Sequence, residues 1–197
     1  MNATRNLKND HITIRRVKDI AQKCSNRLYE DHYVPIEDVE IISVIIEEFV
    51  DHFHHGKEEK AYFPDTKEKN GFAEDIRKFL IEHELGRRIA IMLRRELNEV
   101  KEKRKEQSKH KTNKQDPINM EPIARFLKSY AVFIDDHTAK EDRFFDMVDE
   151  KNVITNEEDE MLLKHYEMCK NQAGGEIRMQ EMVVLIKFLE EREWMKD

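Results

Sequence analysis

The chain has 197 residues, 39% of them hydrophobic and 39% charged, with only 5 glycines and 4 prolines and a net charge of -7. That length fits one domain, or one domain with an appendage; the acidic balance argues against a nucleic-acid partner, and no apolar run of about 18 residues is present to span a membrane. Scarce chain breakers and long periodic stretches point to an all-α protein.

The first helix is expected from about Asp10 to Tyr29, with Ile14, Val17, Ile20 and Ala21 at helical spacing. After the loop EDHYVPI, Pro35 sits just ahead of a second helix, expected from about Ile36 to Tyr62. Pro64 should stop it, because proline lacks an N–H and disfavours a helical residue before it. The loop DTKEKNG leads to a third helix, from about Ala73 to Lys105. Lys101 to Gln115 are almost purely polar and read as a solvated helix end followed by a flexible loop, with a basic docking patch as the sharper alternative. A fourth helix starts near Pro117 to Pro122 and runs to about Val148. Thr155 and Glu158 fit a capping box, each side chain serving the other's backbone N–H, and open a fifth helix that closes at Gly174-Gly175. The sixth carries Ile177, Met179, Val183, Val184, Ile186 and Leu189. The expected architecture is an up-down-up-down four-helix bundle over residues 1–149, with additional C-terminal helices over residues 150–197 packed on it.

The N-terminal MNATRNLKNDH has no apolar signal core, so a cytoplasmic location is expected. Cys24 and Cys169 form no CxxC pair, which indicates neither a thiolate metal site nor, in a reducing cytosol, a disulfide.

Nine histidines draw attention to metal chemistry. A His and a Glu four residues apart lie on one helix face, one turn from each other. His54 with Glu58, His55 with Glu59, and His137 with Glu141 have this spacing, although the bare pairs are few enough to arise by chance. Their surroundings say more. One pair lies in H-H-G-K-E-E-K-A-Y-F-P from His54, the other in H-T-A-K-E-D-R-F-F from His137: His, three residues, Glu, an acid, then aromatics. Between them the third helix carries I-E-H-E-L-G-R-R around His83, and D-H-I-T-I places His11 on the first. Taken singly, each pair reads as a helix-surface ion pair of little value. Four expected helices each offering a histidine reverse that reading. His52 and His55 are expected to point away from His54, in supporting or surface roles, with His55 and Glu59 as the competing register for the pair, and His32, His110 and His165 read as loop or surface residues. Tyr62 and Tyr130 read as core packing with a hydrogen-bonded hydroxyl.

These motifs, in this order over roughly Asp10 to Val148, resemble the hemerythrin-like (HHE) family. The resemblance implies a four-helix bundle with a non-haem two-metal centre, most often di-iron. It implies His11, His54, Glu58, His83, His137 and Glu141 as metal ligands, with the two carboxylates bridging and the histidines terminal. Imidazole and carboxylate suit iron, with manganese or zinc as substitutes. One departure stands out. Oxygen-carrying members have a second histidine one turn beyond the third-helix one, and here that position is Arg87. The seventh ligand is then water or another carboxylate, with Glu84, Glu47 and Asp51 as substitutes. Arg87 and Arg88 are expected on a solvated face, with anchoring of an outer carboxylate as the alternative.

The functional expectation is a metal-binding protein whose di-iron site senses or reacts with dioxygen or a related small oxidant. Three rivals stay open: an iron store or buffer, a di-iron enzyme acting on peroxide or nitric oxide, and a metal-free helical interaction module. The C-terminal helices are a place for a protein partner.

Overall fold

The computed structural model describes residues 1–109 and 118–196. Among these the regular structure is helical, with no strand. Helix α1 is Asn2–Tyr29, α3 is Ala73–Lys109, α4 is Glu121–Glu150, α5 is Asn156–Gln172 and α6 is Gly175–Glu190; a single 3₁₀ turn, Glu193–Met195, follows. Helix α2 runs over residues 36–66. It is α-helical at Ile36–Ile45, π-wound at Ile46–His55 and again at Glu58–Tyr62, and closes with a turn at Phe63–Thr66.

Three boundaries differ from expectation. Helix α1 begins eight residues before Asp10, because Asp159 of α5 accepts the backbone N–H groups of Asn2 and Ala3, at 3.2 and 2.8 Å, and so caps its first turn. Helix α2 passes through Pro64 for one further turn, in which the Thr66 hydroxyl donates to the Tyr62 carbonyl at 2.8 Å. Helix α3 continues to Lys109, and the rest of the polar segment, His110 included, lies outside the described residues. The capping box is present, with Glu158 N–H donating to Thr155 Oγ1 and Thr155 N–H to the Glu158 carboxylate.

Helices α1 and α4 share the largest interface; α4 also packs on α3, α3 on α2, and α2 on α1, which closes a ring of four. Helices α5 and α6 lie against α1 and α2. The apolar core inside this bundle is in two parts. One gathers Leu7, Phe63, Phe79 and Phe144 with Leu162 and Tyr166 of α5. The other gathers Ile14, Phe53, Leu93 and Ile134 with Met182 and Ile186 of α6. In each of the four helices the break between the two parts falls at the histidines: His11 between Leu7 and Ile14, His54 between Phe53 and Ala61, His83 between Phe79 and Leu93, and His137 between Ile134 and Phe144. A polar layer therefore crosses the bundle from side to side. No helix among the described residues is long and apolar enough to cross a membrane.

Candidate metal centre

The layer consists of seven buried side chains. His11, His54, Glu58, His83 and Glu141 are fully buried, His137 is 1% exposed and His55 is 3% exposed. They form two groups whose ligand-type atoms lie within 4.8 Å of one another: His11, His54, Glu58 and Glu141 in one, and His55, His83 and His137 in the other. All six residues predicted from the sequence meet here. His11 sits more than two turns inside α1, so it is not exposed to fraying at the terminus.

The two carboxylates span both groups. Glu58 places Oε1 3.3 Å from His54 Nε2 and Oε2 3.4 Å from His83 Nε2. Glu141 places Oε1 3.3 Å from His83 Nε2, while its Oε2 lies 3.4 Å from His11 Nε2 and 3.2 Å from His137 Nε2. The Nε2 atoms of His11 and His54 are 3.0 Å apart. Nitrogen and oxygen atoms thus converge from four helices on two small volumes.

The seventh residue, His55, is the one that helical spacing mispredicted. In an ordinary α-helix a residue next to His54 turns well away from it. Here the backbone is π-wound, with hydrogen bonds closing over five residues, so each residue advances by a smaller angle. His54 and His55 both face the interior, and the His55 ring stacks on His83 with centroids 3.8 Å apart and planes 14° from parallel. Nothing in the residue types marks π winding; the adjacent pair His54-His55 was the available signal. The carboxylates considered as substitutes lie outside both groups. Glu84 is exposed and pairs with Arg87, Glu47 pairs with Arg94, and Asp51 lies behind His55.

Every imidazole of the layer is oriented from behind. The Nδ1–H of His11 donates to Asp142 at 2.8 Å, that of His54 to Asp10 at 3.1 Å, and that of His55 to Asp51 at 3.4 Å. His83 donates to Glu59 at 2.7 Å and His137 to Glu82 at 2.8 Å. A carboxylate on Nδ1 fixes the tautomer, leaves the lone pair on Nε2 and raises its basicity, the arrangement metal-ligating histidines ordinarily have. Each of these carboxylates meets a cation in turn: Asp142 with Arg15, Asp10 with Lys57, Glu82 with Lys140, and both Asp51 and Glu59 with Arg87. Arg87 is therefore an anchor for two outer carboxylates rather than part of a solvated face. Phenyl rings close the layer: Phe145 against His11, Phe63 against His83 and Phe133 against His137. Tyr62 is buried with its hydroxyl 3.4 Å from that of Thr4, and Tyr130 is buried as well.

Protonation divides the layer. Burial holds His11 below the usual imidazole range, His83 down to about 3 and His55 far below it, the last with the charge of His83 also opposing a proton. Burial works against a proton on His54 too, yet Glu58 and Asp10 outweigh it and raise that group to about 9. Burial pushes the Glu141 carboxyl far up, reinforced by the negative charge of Glu58, while Glu58 is held low by the surrounding histidines despite its burial.

Buried polar atoms are normally satisfied. In this layer His55 Nε2, His137 Nε2, both oxygens of Glu58 and Oε2 of Glu141 are buried with no hydrogen-bond partner among the described residues. Five orphaned atoms of ligand type in two converging sets, with the His54 imidazole the one cationic group facing them in the layer, fit a pair of metal ions. The absence of thiolate and the mixture of imidazole with carboxylate fit iron, manganese or zinc. Between α2 and α3 a cavity of about 170 Å³, lined by Ile46, Asp51, Gly86, Arg87, Ile91 and Tyr130 among others, reaches His55 from outside.

A family model described as the hemerythrin HHE cation binding domain matches residues 2–109. The match takes in α1 to α3, and with them His11, His54, His55, Glu58 and His83; His137 and Glu141 on α4 lie beyond it. No curated protein sequence and no solved structure matches the chain.

Proposed function

We propose, for a chain that belongs to the hemerythrin HHE cation-binding family, that the buried layer is a two-metal, di-iron centre that senses or reacts with dioxygen or a related small oxidant. The observation that carries this reading is the span of Glu58 and Glu141: Glu58 turns one oxygen toward each group, and Glu141 turns Oε1 toward His83 while its Oε2 lies between His11 and His137. His11 and His54 would hold one ion, and His55, His83 and His137 the other, with the two carboxylates shared. His55 thus supplies the imidazole that Arg87 leaves missing from α3.

A pair of iron ions supplies reversible one-electron exchange with small oxidants. The chain's own residues do the rest. The imidazoles offer neutral lone pairs along directions fixed by their carboxylates. The phenyl rings exclude water, and a dry surround strengthens every charge interaction within it. The unequal donor sets, two imidazoles against three, would leave an ion at His11 and His54 with fewer protein ligands. Ions held so deeply, behind a complete ring of outer carboxylates, favour a resident centre over a buffer from which iron exchanges freely.

The test is metal content per chain, with an optical spectrum of the protein purified in air. Near two irons per chain with near-ultraviolet bands of a bridged pair supports the reading. No stoichiometric metal after anaerobic reconstitution with ferrous iron overturns it.

A further inference from the structure

Lys57 stands out from the other lysines among the described residues. It is 1% exposed, and it sits on α2 between His55 and the bridging candidate Glu58. Burying an ammonium is costly unless it is paired and hydrogen-bonded. Its Nζ donates to Asn6 Oδ1 at 2.7 Å and pairs with Asp10, both on α1. The face of Phe53 lies 4.3 Å away and that of Tyr166, on α5, 5.3 Å away. Asp10 is the carboxylate that accepts the Nδ1–H of His54. A continuous row therefore runs from His54 through Asp10 and Lys57 to the aromatic face of Tyr166, outside the metal layer itself.

Helix α5 closes this row from the solvent side. The Cys169 thiol donates to the Gly56 carbonyl at 3.5 Å, one residue from Lys57. The Tyr166 hydroxyl is buried with no hydrogen-bond partner among the described residues, so α5 accepts a local cost to keep its ring there. Asp159 holds the first turn of α1, the helix that carries His11 and Asp10. Both histidines of the two-histidine group are thus borne by segments that α5 touches; of the three-histidine group only His55 shares α2 with His54, and its Nδ1 partner is Asp51 rather than Asp10, while His83 and His137 stand on α3 and α4.

We propose that Lys57 is a positioning residue for the two-histidine half of the centre, fixing Asp10 behind His54 while α5 shuts the pair away from water. The inference rests on the two-metal reading of the layer. An ammonium in this place sets the carboxylate's position and limits how far it draws the Nδ1 proton, so it governs the lone pair that His54 presents. Seating of α5 and loading of this half then become linked equilibria, each favouring the other.

The experiment is titration of the metal-free full-length protein with cobalt(II) or zinc(II) alone, comparing wild type, Lys57→Met, Asp10→Asn and the double variant. Lys57→Met is expected to weaken one of two binding steps by about tenfold, the low end of what losing an outer partner of a metal ligand costs, and to leave the other step unchanged. Because Lys57 acts through Asp10, the double variant should lose no more than Asp10→Asn alone. Hydrogen exchange is the second readout: loading should slow exchange in residues 162–169 of α5 in wild type and not in Lys57→Met. Two unchanged binding steps in Lys57→Met, additive losses in the double variant, or an α5 response that survives the substitution would each overturn the proposal. If Lys57→Met does not fold, Asn6→Ala removes one anchor of the ammonium and leaves both charges. It should weaken the same step, and an unchanged titration counts against the role. Wild type that takes up no metal at all fails the two-metal reading instead.

Discussion

His55 lies flat against His83, their ring centroids 3.8 Å apart, although the two residues come from different helices and only one was foreseen as a ligand. Two stacked imidazoles can share a buried layer only if both are neutral, and burial holds both below the usual range. Replacing His55 with alanine should therefore empty the three-histidine half while the other half still loads. Metal analysis and calorimetric titration would show one binding step lost, by on the order of 100-fold in affinity, the upper end of losses seen even for outer partners. Two intact steps would remove His55 from the ligand set.

Arg87 joins Asp51 and Glu59, the carboxylates behind His55 and His83, with distances of 2.8 and 2.5 Å. Arg87→Gln keeps all seven inner residues and frees both outer carboxylates. We expect about tenfold weaker metal binding at the three-histidine half, with a fold that far-ultraviolet circular dichroism cannot distinguish from wild type. Affinity equal to wild type would reduce Arg87 to a surface ion pair.

Metal removal should lower the melting temperature. Ions present at about 100 times their dissociation constant add about 2.7 kcal/mol, and about 1 kcal/mol shifts a domain of this size by roughly 2–4 °C. Scanning calorimetry with and without chelator should thus differ by roughly 5–10 °C. Coincident curves would place the ions, if any, outside the core.

Loading should release protons. In the metal-free protein His54, raised to about 9, carries a proton at neutral pH, and burial together with the charge of Glu58 pushes the Glu141 carboxyl well above the usual carboxylate range. The His54 proton must be shed for its nitrogen to bind an ion. Affinity should climb as pH rises toward 9, up to about tenfold per pH unit for each proton displaced. The stability contribution of His54 has the matching sign. Its folded value lies above the unfolded one, so the metal-free protein holds that contribution below about pH 6.5 and loses it as pH rises through 9. The loaded protein, with His54 already neutral, should not lose it. Titration calorimetry in buffers of different ionisation enthalpy reads the proton count directly; a count of zero would contradict the assignment.

Gly86 gives a test of packing beside the layer. A Cβ there would stand 2.6 Å from Cε1 of Phe133, whose ring stacks on His137. Glycine to alanine inside a helix ordinarily stabilises by about 1 kcal/mol. Here overpacking should reverse the sign and cost about 1–3 kcal/mol, with Phe133→Leu in the same chain restoring most of it. Chemical denaturation of the two variants would decide.

The sequence carries much of this site because its chemistry is local. His54 with Glu58 and His137 with Glu141 are single-turn pairs, and of the aromatics after them Phe63 and Phe145 are rings that close the layer, while the third, Phe133, lies one turn before His137. The helical bundle was equally legible, since the interruptions of its apolar pattern fall at the histidines. What could not be read is what depends on neighbours far along the chain. The start of α1 is extended by Asp159, which no pattern near Asn2 announces. His55 faces inward because of a backbone winding that the residue types do not encode. Of the five outer carboxylates, Asp51 reads in the sequence as a substitute ligand and Glu59 as the partner of His55, the other three as ordinary surface acids, and only the folded geometry puts each behind an imidazole.

The division of the apolar core by the polar layer bears on how the chain folds. A bundle with one continuous interior has a single apolar core; this one has two, tied together through a stratum of buried charge in which His55, His137, Glu58 and Glu141 keep unpaired atoms. With ions in place the stratum becomes the strongest seam in the molecule and should make the two ends melt as one. Without them, the end built around Phe63 and Phe144 and the end built around Ile14 and Ile134 are free to come apart at different temperatures, so the ions would act as the switch for cooperativity itself.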